Sequence, residues 1–287
     1  MDSINRLFNK LFLCLGVFLC FSMVSVYAAP NESLITWGDN DSSYITAVGI
    51  GRPDERGMAM SREAAVVAAQ RNLLSIIQGV QIDSETIMRD LMIESDVVKR
   101  NVSGLLVGAK IIEENMLSDG SYIVKMRVPL YGKSGSVASA VLPVVMNDKP
   151  QPVQKAERNN IPQPEAEKIQ SENYTGVIVD AGGMNLSPTF SPVIYDENGR
   201  DIYGAKNIDA DFAVREGMVS YATNVNDEVA KNRAGNNPLI IKATRVKGGA
   251  SPQSLVNVVV SVQDADKILL ANENSNFLVN CKVVFVR

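Results

Sequence analysis

The stretch YITAVGIGRPDERGMAMSREAAVVAAQRNLLSIIQG, Tyr44 to Gly79, decides the fold of the first half of this chain. Tyr44 to Ile50 is β-branched and apolar and reads as a strand, with a turn around Gly49, Gly51 and Pro53. From Ser61 the period changes: Ala65, Ala69, Leu73 and Ile76 recur at helical spacing, Arg62, Glu63, Gln70 and Arg71 fall elsewhere on the wheel, and Gly79 offers a stop. Small residues on the buried stripe suit a helix lying close on a sheet. A second helix is expected over about Glu85 to Ser103, with Met88, Leu91, Met92, Ser95, Val98 and Val102 on one face. From Leu105 the period becomes two: Leu105, Val107, Ala109 and Ile111 alternate, Ser118-Asp119-Gly120 turns, and Tyr122, Val124, Met126, Val128 and Leu130 line the returning strand. Strand, helix, helix and hairpin make an α+β layer with helices on one face of an antiparallel sheet. Val137 to Met146 is apolar and reads as a short strand or helix, closing a unit over residues 44–146.

Downstream, NDKPQPVQKAERNNIPQPEAEKIQSE (147–172) has four prolines and, as large apolar residues, Val153, Ile161 and Ile169. Such a composition predicts a disordered, Pro-rich linker, able to reach on the order of 80 Å if extended as polyproline II. Beyond it, residues 173–287 read as a second, β-rich α+β domain. Tyr174 to Asp180 is a strand broken by Gly182-Gly183. Val193-Ile194-Tyr195 and Asp201-Ile202-Tyr203 flank Asn198-Gly199, a strong hairpin signal because both residues tolerate positive φ. Met218 to Val229 reads as partly helical, and Leu239 to Val246, Leu255 to Val262 and Phe277 to Val286 as strands. In the last, Val279, Cys281, Val283 and Phe285 share a side, which makes Cys281 a buried thiol.

Ahead of both units, Arg6 and Lys10 precede an apolar run from Leu11 to Val26, and Val26-Tyr27-Ala28 supplies small residues where a signal peptidase reads. Residues 1–28 are expected to be an export signal and 29–43 a polar lead-in from which Trp37 could dock on the first domain. Two alternatives stay open: retention as a membrane anchor, for which the run is short of the roughly 20 residues of a span, and lipidation at Cys14 or Cys20, for which Leu13 and Leu19 stand where small residues are wanted.

Composition narrows the chemistry. The chain has no histidine, which removes the commonest general base and most zinc sites, and its net charge of −4 argues against nucleic acid. Gly49-Ile50-Gly51 fails as a dinucleotide fingerprint because Asp54 stands at the third glycine and Pro53, Asp54 and Glu55 oppose a pyrophosphate. No cofactor, metal or catalytic residue is expected. Asp196 to Asp201 departs from a calcium loop in its glycine position, leaving Asp180, Asp209 and Asp211 as carboxylates that could gather beside it. The ligand-binding candidates are Tyr195, Asp196, Asp201 and Tyr203, since tyrosines beside carboxylates suit sugar, peptide or cation recognition. Paired carboxylates of a glycosidase would need a separation of roughly 5 to 9.5 Å across a cleft.

Two blocks carry a family resemblance. ITAVGIGRPDERGMAMSREAAVVAAQRNLLSIIQGVQIDS, continued by DGSYIVKMRVPLYG, resembles the bacterial twenty-kilodalton outer-membrane lipoprotein family, a domain related to flagellar lipoproteins and to the N-terminal part of the flagellar T-ring protein; it covers about Tyr44 to Gly132. YTGVIVDAGGMNLSPTFSPVIYDENGRDIYG with NRAGNNPLIIKA resembles the C-terminal module attached to such domains in uncharacterised secreted proteins. The resemblance implies an envelope protein that works by assembling or binding, in the periplasm or peripheral to the outer membrane, with homo-oligomeric or envelope protein partners and no catalytic residues to carry over.

Overall fold

The computed structural model describes residues 34–37, 43–146, 149–249 and 251–287. The expected export signal lies outside them. The chain is α+β, and every described element belongs to one contact unit, Glu32–Arg287.

The first sheet has the order β1-β2-β4-β3 and is antiparallel throughout: β1 Leu34–Thr36, β2 Tyr44–Gly51, β3 Lys110–Met116, β4 Tyr122–Pro129. Helix α1 (Met58–Gln78) lies on β2 and β4 through Ser61, Ala65, Ala69, Leu73 and Ile77, with Ile76 half-buried beside them. Gly49 and Gly51 belong to β2 rather than to a turn. A Cβ on Gly49 would sit 2.1 Å from the Ala65 carbonyl oxygen, and one on Gly51 1.8 Å from that of Ser61, so the helix backbone rests directly on the strand. Close approach requires these glycines, as it requires the alanine stripe.

The expected second helix is two: α2 Met88–Glu94 and α3 Asp96–Val107, broken at Ser95, whose hydroxyl caps α3 by accepting from Val98 N. Leu105 and Val107 are therefore helical, and β3 begins at Lys110. The hydrophobic alternation over 105–111 was misleading because Leu105 satisfies both periods and buries under the helical one. The hairpin itself holds, with Gly120 at φ 83° and Asp119 accepting from Ser121 N. Residues 137–145 form a helix, α4 (Val137–Val145), started by a Ser136/Ser139 capping box.

The expected disordered linker is overturned over its described residues, 149–172. Gln151 N donates to Lys206 O at 2.7 Å, Arg158–Asn160 makes a helical turn, and α5 (Gln163–Ser171) packs along a later helix. Ile161 and Ile169 are buried. Much of the rest is held by polar contacts: Glu157 N and Asn160 Nδ2 donate to the buried Asp266 at 2.9 and 2.6 Å, and Lys267 pairs with Glu165 at 2.8 Å. A count of apolar residues misses anchoring of this kind.

Two more sheets follow. One is wholly parallel, in the order β8-β12-β5-β9, from β5 Gly176–Asp180, β8 Ser220–Ala222, β9 Pro238–Lys242 and β12 Val283–Val286. The other, β10-β11-β6-β7, joins the hairpin of β6 Ile194–Asp196 and β7 Asp201–Tyr203 to β11 Asn257–Val260 in parallel and β11 to β10 Arg245–Lys247 antiparallel. The helices here are α6 Ala210–Glu216, α7 Glu228–Ala234 and α8 Val262–Ser275, the helix that α5 packs along.

Three readings of this half change. Met218 to Val229 is mostly strand and loop, with helix beginning only at Glu228. Phe277 to Lys282 is a turn ahead of β12, with Val279 exposed and Cys281 at φ 51°. No element was expected over 263–276, where α8 lies. Cys281 is buried, as expected, and burial pushes its thiol up to about 11. Its carbonyl accepts from Arg233 Nε, while Arg233 Nη1 and Nη2 donate to Glu216 O and Gly217 O, so the buried guanidinium staples the 216–217 turn to the start of β12.

The two halves meet through aromatic rings. Phe190 packs edge-on against Trp37 (5.3 Å between centroids) and Tyr131 (5.4 Å), and Trp37 against Tyr221 (5.8 Å). Backbone bonds flank the cluster: Ser191 N to Ile82 O at 2.8 Å and Gly132 N to Val214 O at 2.9 Å.

Candidate functional site

The four ligand-binding candidates lie on the β6–β7 hairpin, and the structure divides them. Asp196 is 2% exposed and spends its oxygens on Arg200, accepting from the backbone N at 2.8 Å and from Nε at 3.0 Å. Tyr203 is fully buried and donates to Met218 O; burial holds its phenol well above the ordinary range. Neither can meet a ligand. Ile202 and Tyr203 are buried in succession because the end of the hairpin is covered on both faces, and Asp196 is held inside by its arginine.

Tyr195 and Asp201 do meet, at a cleft of ≈ 320 Å³ whose opposite wall is the loop Asp83-Ser84-Glu85-Thr86 ahead of α2. Asp201 Oδ2 pairs with Lys206 at 2.9 Å, and its Oδ1 is buried with no partner among the described residues. Burial raises the Tyr195 phenol, and Asp201, Glu85 and Asp83 add to the rise. Lys247 Nζ sits 3.3 Å from the centre of the Tyr195 ring, a cation on an aromatic face. The arrangement can accept hydrogen bonds from a donor-rich ligand. Sequence reasoning missed the 83–86 wall, since nothing local signals which loop folds against a hairpin.

Asp180, Asp209 and Asp211 do not gather beside the hairpin as a cation site. Asp209 caps α6 by accepting from Asp211 N and Phe212 N, Asp180 accepts from Gly182 N, and no cluster with metal-ligand geometry occurs among the described residues. Elsewhere a hollow of ≈ 500 Å³ lies between α3 and the Gly132–Ser136 loop, lined in part by Arg100, Lys133 and Asn101. The helix end beside it is already occupied by its own capping box.

Among the described residues, one open surface is the edge strand β3. All seven of its residues are exposed, and Ile111, Ile112, Met116 and the following Leu117 each leave more than a third of their surface open. Among the described residues β3 bonds to β4 on one side only, with Ile112 bulged out of register. Its outer backbone groups form an unpaired edge. On the inner side, Arg62 Nε meets Glu114 at 2.7 Å, fixing the strand to α1.

Fold and surface together define a class: an α+β chain of an antiparallel layer joined to a parallel-sheet domain, with an open edge strand at one end. A family model described as Treponema pallidum Tp0624, second domain, matches residues 176–287. The C-terminal half is thus similar to that domain, whose match begins at β5 and ends at the last residue of the sequence. No curated protein matches the chain. Among the described residues, no helix is long and apolar enough to cross a membrane.

Proposed function

We propose that the chain is an exported, non-enzymatic envelope protein with a structural, scaffold or assembly role, and that it assembles with a second copy of itself through β3. The observation that carries this is the open, apolar edge of β3, because a bare strand edge is a template for another strand. Charge favours a second copy as the occupant. Paired antiparallel with its own copy, the strand brings its basic amino end at Lys110 beside the acidic Glu113-Glu114 stretch of the second copy. The export signal supports a periplasmic setting. The resemblance of residues 44–132 to the outer-membrane lipoprotein family supports association with the outer membrane or a flagellum-like assembly.

Light scattering on the exported chain is the test. A dimer is expected, and Ile112→Lys should return it to a folded monomer whose melting temperature no longer depends on protein concentration, since Ile112 is 41% exposed. A chain that stays monomeric up to its solubility limit would overturn the reading. A second reading, a small-ligand module, is favoured by the Asp201 acceptor left unpaired in the Tyr195 cleft. Thermal-shift screening with sugars, peptides and divalent ions separates the two.

A further inference from the structure

A different pocket lies in the half that matches the family model. β8, β12 and β5 are adjacent and parallel, so their carboxyl ends open on one side of the sheet. A pocket of ≈ 400 Å³ lies over those three ends: Ala222 ends β8 and Thr223 follows it, Arg287 follows β12, and Gly183, Asn185 and Leu186 follow β5. After β5 the chain next enters this sheet at the β8 edge, and after β8 at the opposite, β9 edge. In open parallel sheets, ligands bind outside the carboxyl ends of the strands, and this pocket has that position. The volume falls in the range of small-molecule sites, roughly 300–1,000 Å³.

The pocket's chemistry is specific. Trp37, from outside the matched segment, and Tyr221 supply aromatic surface. Arg287 is exposed, and among the described residues its guanidinium has no ion-pair or hydrogen-bond partner; its charge is close enough to bear on the Tyr221 phenol. The Asn185 amide likewise has no partner among the described residues. Its backbone stands at φ 56°, two residues after Gly183 at φ 78°. Asparagine is one of the few non-glycine residues that takes the left-handed conformation readily, and here it holds its amide at the pocket rim.

We propose that this pocket binds a small organic carboxylate with an apolar body. Arg287 and the Asn185 amide take the carboxylate, and the body lies against Trp37 and Tyr221. The inference stands apart from the β3 assembly, since it uses none of the same residues.

Trp37 is the single tryptophan of the chain, so intrinsic fluorescence reads this pocket directly. Titrating the exported chain with cyclohexanecarboxylate should change Trp37 emission saturably in the millimolar range, where a ligand of this size is expected. The uncharged cyclohexylmethanol and the bodiless acetate should each bind on the order of tenfold more weakly. Arg287→Met removes the cation but keeps the aliphatic stem, and Asn185→Gly removes the amide while leaving the left-handed backbone free of cost. Each should weaken binding by a similar factor with the melting temperature unchanged. No saturable emission change, an equal response to the neutral alcohol, or unaltered affinity in both variants would overturn the proposal.

Discussion

Replacing Asp266 by alanine should be the most costly single change at the contact between the 149–172 segment and the parallel-sheet half. Asp266 sits on α8 with no exposure and accepts three hydrogen bonds: from Glu157 N at 2.9 Å, Asn160 Nδ2 at 2.6 Å and Arg200 Nη2 at 2.9 Å. Truncation leaves all three donors facing a dry space. Arg200 keeps Asp196 at 3.0 Å and an outlying contact to Glu157 at 3.5 Å, so it loses part of its compensation rather than all of it. Removing one partner of a buried ion pair costs about 3–5 kcal/mol, a large part of a total stability of about 5–15 kcal/mol. For a folded chain of this size that corresponds to a fall in melting temperature of roughly 6–20 °C. Asp266→Asn keeps the volume and one acceptor oxygen and should cost less. Urea unfolding measures the loss. Limited proteolysis gives its location, because the bonds that fail first hold residues 157–160, and cleavage between about 149 and 162 should accelerate before either half opens. A loss below about 1 kcal/mol with unchanged cleavage in that segment would refute the argument that polar anchoring orders it.

Two further outcomes follow from local geometry. Gly49→Ala drives a Cβ to within 2.1 Å of Ala65 O and 2.2 Å of Ala69 N, both backbone atoms, so α1 must lift off β2; calorimetry should show a loss of about 3 kcal/mol or more. Asp227 caps α7 by accepting from Val229 N and is further held by Thr223, bonds that lower its pKa in the folded chain; the unfolded chain protonates first as pH falls, so the cap contributes fully above pH ~4 and fades below it, and Asp227→Asn should flatten that acid limb of the stability curve.

The parts of the fold that were legible in sequence are those whose signal is local. The Asn198-Gly199 hairpin forms as read, with Gly199 at φ 87° and Asp196 N bonded to Arg200 O. The alanine stripe of α1 lands on its sheet for the reason its residue sizes suggest. Of the ligand candidates, Tyr195 and Asp201 reach a cleft and Asp196 and Tyr203 do not. Burial on a two-stranded hairpin depends on which neighbour covers each face, and here β11 and α8 arrive from sixty residues downstream. Helix α8 had a readable start, since Ser261 accepts from Asp264 N and bonds its side chain, and a readable stop at Asn276 in the left-handed region. Its apolar positions sit among many polar ones, which hid the period.

The parallel sheet shows why the rest was not legible. Val177-Ile178-Val179 and Val283-Val284-Phe285-Val286 are continuous apolar runs, buried on both faces, and such runs carry no alternation from which to read orientation or partner. Their order in the sheet is set by crossovers that a local reading cannot see. The carboxyl ends of β5, β8 and β12 therefore come together from residues more than a hundred positions apart. That same non-local order places Asn185, Thr223 and Arg287 around one pocket and brings Trp37 to close it. None of the four stands in a motif; Trp37 reads as a residue that docks on the first domain, and Asn185, Thr223 and Arg287 read in isolation as ordinary surface residues. What marks them is a combination visible only in three dimensions: a left-handed asparagine, an arginine unpaired among the described residues and a lone tryptophan over the open ends of a parallel sheet.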